Sequence, residues 1–273
     1  MELNNISFTD TILGRTNMKV FRLGLSSSYW PGKKAIYRAI DEGVNFFFGF
    51  GIDRQILTVL RDVMKSNRDK FIVSTGAYNY IFGYQNIRRT LERRLKRLRT
   101  DYIDAFLFLG VTKSKEFPER ARDEMVRLRE DGKVRAIGMS CHDRKFAGKL
   151  AAEGALDVLM IRYNAAHRGA EQEIFPFCPA HNPGIVSYTA TRWTYLLRRP
   201  RGWLKNGRVP TAGECYRFAL SNPSVHVTLT APRNEKQLVE NIAAVRQGPL
   251  VEEDLRFMKD FGDAVYRQYK WFM

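Results

Sequence analysis

The sequence has few of the features that define disulfide-bonded, metal-binding or membrane proteins. Its 273 residues include three widely spaced cysteines, an odd set that predicts no disulfide framework and favours a reducing, cytoplasmic environment. No C-x-x-C or H-E-x-x-H spacing occurs, so we expect no dedicated metal site. Apolar runs such as Ala105–Leu109 are far shorter than the roughly 20 residues that cross a bilayer. Residues 1–5 have neither a basic nor an apolar segment, so we expect no secretory signal.

Acidic residues are scarce beside basic ones, 29 against 45, which gives a net charge of +16. Such an excess can attract nucleic acid, anionic membranes or phosphate-bearing ligands. In the most basic segment, 88–99, apolar residues recur at helical spacing and leave the basic residues facing solvent. No aromatic stacking motif or helix-turn-helix accompanies this charge. We therefore expect a small-molecule ligand rather than nucleic acid or a membrane.

Strand-like and helix-like segments alternate along the chain. The predicted strands are Val20–Leu25, Val44–Phe48, Phe71–Thr75, Ile103–Leu109, Val134–Met139, Val158–Arg162, Gly184–Tyr188 and Val225–Thr230. The predicted helices are Lys33–Asp41, Arg54–Lys65, Gln85–Leu98, Pro118–Glu130, Arg144–Ala152, Ala170–Phe177, Thr211–Leu220 and Glu235–Ala244. The strands are continuous apolar runs, as expected when both faces are buried.

Eight such units without a G-x-G-x-x-G turn favour an α/β fold of the (β/α)8 TIM-barrel type over a doubly wound sheet. No low-complexity linker divides the chain, so we predict one domain over residues 1–273. Leu13–Asn17 reads as the turn of an N-terminal hairpin that covers the bottom of the barrel. Val251–Tyr269 predicts a final helix outside the eightfold repeat.

Several short segments, in order and at regular spacing, resemble the aldo-keto reductase family across nearly the whole chain. They are Leu13–Thr16, Gly43–Phe47, Arg68–Lys70, Leu98–Asp104, Gly132–Ser140, Gly184–Tyr188 and Arg233-Asn234 with Gln237, Glu240 and Asn241. The resemblance implies a (β/α)8 barrel that binds NADP(H) at the carboxyl ends of its strands. It also implies carbonyl reduction, in which a tyrosine beside a lysine donates the proton.

The residues at the positions of the family's catalytic tetrad are different. Where the resemblance implies Asp, Tyr, Lys and His, this chain has Phe48, Asp53, Gly76 and Leu109. No tyrosine occurs between Tyr37 and Tyr78, no lysine between Lys70 and Lys96, and no histidine before His142. An unassisted tyrosine titrates near 10, so the usual proton transfer has no basis here. The predicted pocket floor is apolar and aromatic. We expect about half of its five candidate side chains to face the pocket; the candidates are Phe46, Phe48, Phe50, Phe108 and Leu109.

The cofactor positions of the family are partly kept. The resemblance implies that the nicotinamide is held at Ser140, at Cys141 and Met160 (where the family has Asn and Gln), and by stacking on Tyr188. It places the phosphate-bearing end beside the last barrel strand and its helix. The remaining predicted cofactor contacts come from two places. The loop after Tyr188 contributes Thr189 and Arg192, and the segment after the last barrel strand contributes Arg233, Asn234, Gln237, Glu240 and Asn241.

Three residues near strand ends are candidates for replacing the missing chemistry. His142 can act as an acid or base near neutral pH, Arg162 can bind an anion, and Tyr78 supplies a phenol. The long basic loop 192–208 is either a lid over a phosphate-rich ligand or a solvated loop. Two functions stay open: an NADP(H)-linked oxidoreductase with an atypical site, or a catalytically silent ligand-binding, regulatory or non-redox barrel.

Overall fold

The computed structural model describes residues 7–26, 28–50, 54–78 and 86–269. Eight parallel strands follow one another in chain order and close into a barrel, as the sequence predicts. The barrel strands are β3 (Leu23–Ser26), β4 (Phe46–Phe48), β5 (Ile72–Tyr78), β6 (Ile103–Val111), β7 (Val134–Cys141), β8 (Val158–Arg162), β9 (Gly184–Tyr188) and β10 (Val227–Thr230). Pairing of Thr228 with Leu23 and of Thr230 with Leu25 closes the cylinder.

Helices cover the outside of the barrel. They are α1 (Lys33–Asp41), α2 (Arg54–Asn67), α3 (Ile87–Leu98), α4 (Glu119–Glu130), α5 (Arg144–Glu153), α6 (Ala170–Glu173), α7 (Ala212–Ser221), α8 (Glu235–Arg246) and α9 (Glu252–Gln268). Four of them begin at a polar residue whose side chain accepts a hydrogen bond from the first turn: Asn86, Asp143, Thr211 and Asn234. The apolar stripe of α3 is buried as predicted. No helix in the described ranges is long and apolar enough to cross a membrane.

The N-terminal hairpin closes the bottom of the barrel. Its strands β1 (Asp10–Ile12) and β2 (Lys19–Phe21) pair antiparallel. Leu13 and Met18 enter the same buried cluster as the barrel interior. Gly14 has φ +52°, and a Cβ there would lie 2.3 Å from the backbone nitrogen of Gly184. Only glycine therefore lets the hairpin turn press against the start of β9.

Side chains alternate between the barrel interior and the helix layer, since successive strand residues point to opposite faces. Phe46 and Phe48 point inward, whereas Phe108 points outward and packs on Phe117 at 5.2 Å between ring centroids. The interior is filled by apolar side chains, as is typical of this fold. They include Ile72, Ala105, Leu107, Ala136, Val158, Val186 and Val227.

Two sequence predictions need correction. The predicted strand Val20–Leu25 is interrupted at Arg22, so its first part forms β2 and its second part β3. The Arg22 guanidinium donates to the carbonyl oxygens of Leu220 and Val225, both at 2.8 Å, and holds this bend. The predicted helix Ala170–Phe177 ends at Glu173, and a 3-10 turn containing a proline follows it. Proline has no N–H to continue a helix.

The three cysteines are free thiols and all are buried. Cys178 and Cys215 lie in the layer between the helices and the barrel. Burial raises the pKa of Cys178 to about 11 and raises the pKa of Cys215 as well. These two side chains therefore behave as small apolar residues of the core.

Candidate active site

A cavity of about 370 Å³ lies at the carboxyl ends of the barrel strands. Its wall is contributed by the strands, by the loops that follow them and by one residue of helix α7. The lining residues are Ser26, Ser28, Tyr29, Phe48, Phe50, Tyr78, Leu109, Gly110, Ser140, His142, Met160, Tyr188, Thr189, Ala190, Thr191, Trp193, Tyr216, Leu229 and Ala231. In the part of the chain that the structure describes, no Asp, Glu, Lys or Arg belongs to this wall.

One side of the cavity is aromatic. Phe48 meets Phe50 edge to face at 5.0 Å, and Phe50 stacks on Tyr78 with ring centroids 6.5 Å apart. Leu109 continues this wall. Of the five residues predicted for the pocket floor, Phe48, Phe50 and Leu109 line the cavity, in agreement with the expected half. The candidate phenol of Tyr78 is thus inside the cavity, on its apolar side.

The tetrad positions lie around this aromatic side. Phe48 and Leu109 line the cavity, and Asp53 lies outside the described residues. Gly76 occupies an inward position of β5, where an added Cβ would meet the carbonyl oxygen of Leu107 at 2.0 Å. A larger residue at Gly76 therefore requires β5 and β6 to move apart.

A tyrosine and a histidine meet on the opposite side. Tyr188 ends β9, and its Oη lies 3.2 Å from Nδ1 and 3.4 Å from Nε2 of His142. The two rings meet edge to face, with centroids 5.7 Å apart. The backbone N–H of His142 donates to the carbonyl oxygen of Val111 at 2.7 Å and fixes the start of this loop. The candidate acid-base residue is thereby held against the predicted stacking residue.

Arg162 lies beside this pair but does not belong to the cavity wall. It is the β-sheet partner of Tyr188 at the ends of β8 and β9. Burial lowers the pKa of the Arg162 guanidinium. Burial also raises the pKa of Tyr188, and the positive charge of Arg162 opposes that effect without overcoming it. The Tyr188 phenol therefore stays protonated throughout the neutral range.

The predicted nicotinamide contacts divide into two groups. Ser140, Met160, Tyr188 and Thr189 all line the cavity. Cys141 does not, because Ser140 points inward and the next residue of β7 points into the helix layer. Its Sγ donates to the carbonyl oxygen of Asp143, and burial raises the pKa of the thiol to about 12.

Arg192 is also outside the cavity wall. It is 1% exposed, and its Nε donates to Nε2 of His167 at 2.9 Å. Its guanidinium also donates to the carbonyl oxygen of Tyr269. Burial, followed by the charges of Arg162 and Arg192, lowers the pKa of His167 to about 3. The neutral imidazole therefore accepts this hydrogen bond, and the arrangement ties the loop after β9 to the end of α9.

The predicted contacts near α8 surround its first turn. Asn234 caps the helix by accepting from the Gln237 backbone N–H at 3.0 Å, and the Gln237 side chain accepts from the Arg233 backbone N–H at 2.9 Å. The guanidinium of Arg233 lies 5.3 Å from the ring centroid of Tyr29. Glu240 is exposed and pairs with Lys236.

Asn241 is buried and donates to Thr230 Oγ1 at 3.1 Å. Thr230 in turn donates to Tyr216 Oη at 2.9 Å, so this group holds α7 and α8 against β10. Of the predicted contacts near α8, Arg233 lies next to a cavity-lining side chain, Tyr29.

Several lining residues were missed by sequence reasoning. Ser26 ends β3, and the rule that strand ends carry the site was sufficient to find it. Tyr216 comes from the buried face of α7, and Tyr29 comes from the segment between β3 and α1. Neither position has a sequence signal that separates it from ordinary core or loop residues.

The basic loop 192–208 packs against α9 rather than over the cavity. Trp203 meets Phe261 edge to face at 4.9 Å, and Arg208 pairs with Asp254 at 2.8 Å. The backbone N–H of Arg201 donates to Gln268 Oε1 at 2.8 Å. From this loop, only Trp193 among the described residues reaches the cavity wall, where it is 50% exposed. The loop is therefore not a lid over the cavity. Its basic side chains Arg198, Arg199, Arg201, Lys205 and Arg208 are exposed, as the solvated alternative predicted, while its backbone and Trp203 are anchored on α9.

The backbone directly after β9 is unusual. Thr189, Arg192, Trp193 and Thr194 have φ values of 56°, 48°, 54° and 71°. Non-glycine residues in this left-handed region each cost about 1 kcal/mol or more, and such residues concentrate at functional sites. The strained segment contributes Thr189 and Trp193 to the cavity wall.

A closed (β/α)8 barrel with a cavity at the carboxyl ends of its strands is the architecture of a TIM barrel. A model of the Aldo/keto reductase family matches residues 33–200, well over half of the chain. The protein belongs to the aldo/keto reductase family.

Curated relatives support this assignment. The aldo-keto reductase YhdN of Bacillus subtilis is 27% identical over 61% of this chain and 57% of its own length. The uncharacterized oxidoreductase YrpG of the same organism is 26% identical over 96% of this chain and 99% of its own length. An NADH-specific methylglyoxal reductase of Escherichia coli is 30% identical over 67% and 66%. The chain thus spans little more than half of the first relative and nearly all of the second.

Solved structures share the fold. An aldo-keto reductase of Bacillus halodurans in its holo form has a TM-score of 0.77 at 20% identity, covering 96% of this chain and 99% of its own. An aldo/keto reductase of Klebsiella pneumoniae, in complex with NADP and acetate, has a TM-score of 0.76 at 20% identity, with coverages of 93% and 95%. At these identities the likeness establishes the barrel and its topology.

Proposed function

We propose that this protein is an NADP(H)-linked oxidoreductase of neutral carbonyl compounds whose proton transfer is atypical for its family. One observation supports this most directly. A single cavity runs from Ser140, Met160 and Tyr188 to Ala231, which follows β10. At Ser140, Met160 and Tyr188 the family resemblance implies contact with the nicotinamide, and it places the phosphate-bearing end of the cofactor beside β10 and the helix that follows it.

The side chains around this cavity fit such a cofactor. Tyr188 offers an aromatic face and Ser140 a hydroxyl for the nicotinamide end. Arg233, exposed at the start of the 12-residue helix α8, offers a fork of donors for a phosphate at the other end. When bound, the reduced nicotinamide supplies hydride. The related structure from Klebsiella pneumoniae, which contains NADP, favours the phosphorylated form of the cofactor.

The cavity wall defines the substrate class. Phe48, Phe50, Leu109 and Leu229 make it largely apolar, and the described residues add no charged side chain. A carboxylate or phosphate group buried there would lose its hydration without gaining an ionic partner. We therefore propose uncharged aldehydes or ketones with an aromatic or aliphatic body as substrates.

The test begins with cofactor binding. NADPH is titrated into the protein and followed by calorimetry and by tryptophan fluorescence, to which Trp193 on the cavity wall contributes. We expect a dissociation constant below about 100 μM, equivalent to about 5.5 kcal/mol of binding free energy. Arg233→Ala should weaken binding of NADPH more than binding of NADH, while Arg256→Ala on the outer helix α9 should change neither. Absence of NADPH binding would refute the proposal.

The alternative is a catalytically silent barrel that binds a ligand. The observation in its favour is the aromatic wall itself: Phe48 and Leu109 bring no exchangeable proton to the cavity, and Gly76 has no room for a lysine. Proton donation in a typical enzyme is worth about 10²–10⁴-fold in rate. Tight NADPH binding without oxidation of NADPH by a panel of aldehydes and ketones would favour this alternative.

A further inference from the structure

We propose that the outer face of helix α3 is a docking surface for the phosphate backbone of double-stranded nucleic acid. The surface, which we call the α3 ridge, consists of Arg89, Arg93, Lys96 and Arg99, and all four residues are exposed. None of them belongs to the cavity wall at the mouth of the barrel. The ridge is therefore independent of the proposed oxidoreductase function. It adds, to the small-molecule ligand expected from the sequence, a partner that the sequence alone did not favour.

The four residues of the α3 ridge form one row. Arg89 and Arg93 are four residues apart, and Lys96 and Arg99 follow at intervals of three. Residues at these spacings are neighbours on one side of a helix. The opposite side of α3 is apolar and buried against the barrel, through Ile87, Leu91, Leu95 and Leu98. With a rise of roughly 1.5 Å per residue, the row is about 15 Å long.

The charges of this row are not compensated within the described part of the chain. None of the four side chains forms an ion pair or a hydrogen bond there. The acidic residue of α3, Glu92, pairs with Lys133 instead. On the same flank, Arg88 pairs with Glu124 and Asp131. The acidic groups on the side facing α4 are thus already used, and the ridge is left without them.

Other outer helices balance their exposed charges. In α1, α5 and α8, ion pairs join residues one turn apart: Arg38–Glu42, Lys149–Glu153 and Lys236–Glu240. On α9, the exposed Arg256 and Lys259 lie among acidic residues of the same helix. The α3 ridge instead has charges of one sign at contact spacing, an arrangement that destabilises a helix.

The dipole of the helix does not account for the row. Basic residues are favourable near the carboxyl end of a helix, which covers Lys96 and Arg99, but they are unfavourable near its amino end. Arg89 lies in the first turn, where Asn86 accepts from its backbone N–H at 2.8 Å, and no acidic residue accompanies it there. The repulsion between Arg89 and Arg93 is therefore retained in the fold, which favours an external anion that relieves it.

The chemistry of the row favours a duplex over other polyanions. Three of its four residues are arginines, whose fork of donors fits a phosphate. No aromatic residue occurs in α3, so the helix lacks the stacking platform that proteins use for single strands. Its apolar residues are buried, whereas a helix that binds a membrane surface inserts such residues into the membrane. Along a row of about 15 Å, a duplex carries about nine phosphate charges.

The first experiment measures binding and its salt dependence with the full chain. A fluorescently labelled duplex of arbitrary sequence, as DNA or as RNA, is titrated with the protein and followed by anisotropy. Each phosphate contact contributes about −0.9 to the slope of log K against log salt, so four contacts predict about −3.6. Affinity should therefore fall roughly 100-fold between about 50 and 200 mM KCl. Absence of binding to either duplex at the lower salt concentration would overturn the proposal.

The second experiment places the contact on the ridge. Arg89→Gln with Arg93→Gln should weaken binding at low salt by at least about 10-fold and reduce the slope by about 1.8. The matched control, Arg256→Gln with Arg267→Gln, removes the same charge from exposed positions of α9 and should change affinity by less than about three-fold. Equal losses in the two variants would overturn the proposal, because net charge rather than the ridge would then bind the duplex.

Two further variants and measurements separate charge from folding. Arg89→Lys with Arg93→Lys keeps both charges and should retain affinity within about five-fold. Arg89→Gln with Arg93→Gln should melt at the wild-type temperature or above it, since it relieves repulsion. A clearly lower melting temperature would show that the fold itself uses these charges, which contradicts an uncompensated ridge.

The remaining arms identify the polyanion. Tighter binding to duplex RNA than to duplex DNA would assign part of the contact to the 2′-hydroxyl groups, and equal binding would assign it to phosphates alone; either result supports the proposal. Vesicles of phosphatidylserine and phosphatidylcholine are the competing case. Binding to these vesicles without binding to a duplex would replace nucleic acid by a membrane. NADPH affinity should be the same in every α3 variant, so a failure here leaves the oxidoreductase function untouched.

Discussion

The two ends of the barrel use their side chains in opposite ways. At the bottom, the hairpin of β1 and β2 inserts Leu13 and Met18 into the interior, and Arg15 pairs with Asp157 at 2.9 Å. At the top, the interior ends in an open cavity, next to a segment whose backbone is strained. The bottom of the barrel is therefore filled by packed side chains, whereas the top contains an open cavity and a strained backbone segment. In barrels of this type, stability and function divide along the same axis.

The strongest test of this division removes packing at the bottom. Leu13 is fully buried, so Leu13→Ala should reduce the free energy of unfolding by about 3 kcal/mol. NADPH affinity should be unchanged under conditions in which the variant is folded. Urea denaturation measures the first quantity and calorimetry the second. Leu204→Ala, at a position 77% exposed, is the control and should have almost no effect on stability. Weakened NADPH binding in folded Leu13→Ala protein would contradict the division.

A second test uses pH at the bottom of the barrel. His226 Nδ1 accepts from the Ile185 N–H at 3.0 Å, and burial, with the charge of Arg22, lowers the pKa of His226 from 6.5 to about 4. The unfolded chain therefore binds a proton at His226 that the native state does not bind. This contribution to stability is complete above about pH 6.5 and is lost as pH falls toward about 4, by at most about 1.4 kcal/mol per pH unit.

His226→Gln should make the decline in unfolding free energy between pH 6.5 and 4 less steep, as measured by urea denaturation at several pH values. His181→Gln, at an exposed histidine, should leave the slope as it is in the wild type. An identical slope in the His226 variant would assign acid sensitivity to other groups, His167 first, since its pKa is lowered to about 3.

At the top, removal of a ring should affect binding more than stability. We expect Tyr188→Ala to weaken NADPH binding by roughly 1 kcal/mol, about five-fold, through lost stacking. Tyr188→Phe should bind NADPH as the wild type does. Tyr37→Ala, on the outer face of α1, controls for the loss of a tyrosine elsewhere. An unchanged dissociation constant in Tyr188→Ala would mean that the nicotinamide lies elsewhere in the cavity.

The smallest expected effect comes from restoring one family residue. Leu109→His places an imidazole on the aromatic side of the cavity, yet we expect no gain in ketone reduction, followed by NADPH absorbance. The family tetrad acts as a unit, and such groups are strongly non-additive. Gly76 has no space for the lysine that would accompany it. A clear gain in reduction by Leu109→His alone would show that the aromatic side is the catalytic side.

The fold was predictable because the barrel strands are buried on both faces, and such strands appear in the sequence as continuous apolar runs. Val158–Arg162 and Gly184–Tyr188 have the predicted bounds. The division at Arg22 was not predictable, since a guanidinium bound by backbone carbonyls has no local pattern. Likewise, the sequence pattern predicts a helix that continues to Phe177, whereas in the structure a 3-10 turn containing Pro176 replaces its last part.

The site was predictable where strand ends carry it. Ser140, His142, Met160 and Tyr188 all reach the cavity. Cys141 illustrates a signal that was present but unused: strand alternation sends it outward once Ser140 points inward. Tyr216 illustrates the opposite case, because its place in the cavity depends on how α7 packs against β10, a long-range contact that no local pattern encodes.

The buried thiols have a practical consequence. Alkylating and oxidising reagents attack the thiolate, and burial keeps Cys141, Cys178 and Cys215 protonated and covered. The native chain should therefore stay unlabelled by maleimide while it remains folded. A cysteine introduced at Trp193 would then carry a dye selectively, which gives the mouth of the barrel an optical reporter without first removing any natural cysteine.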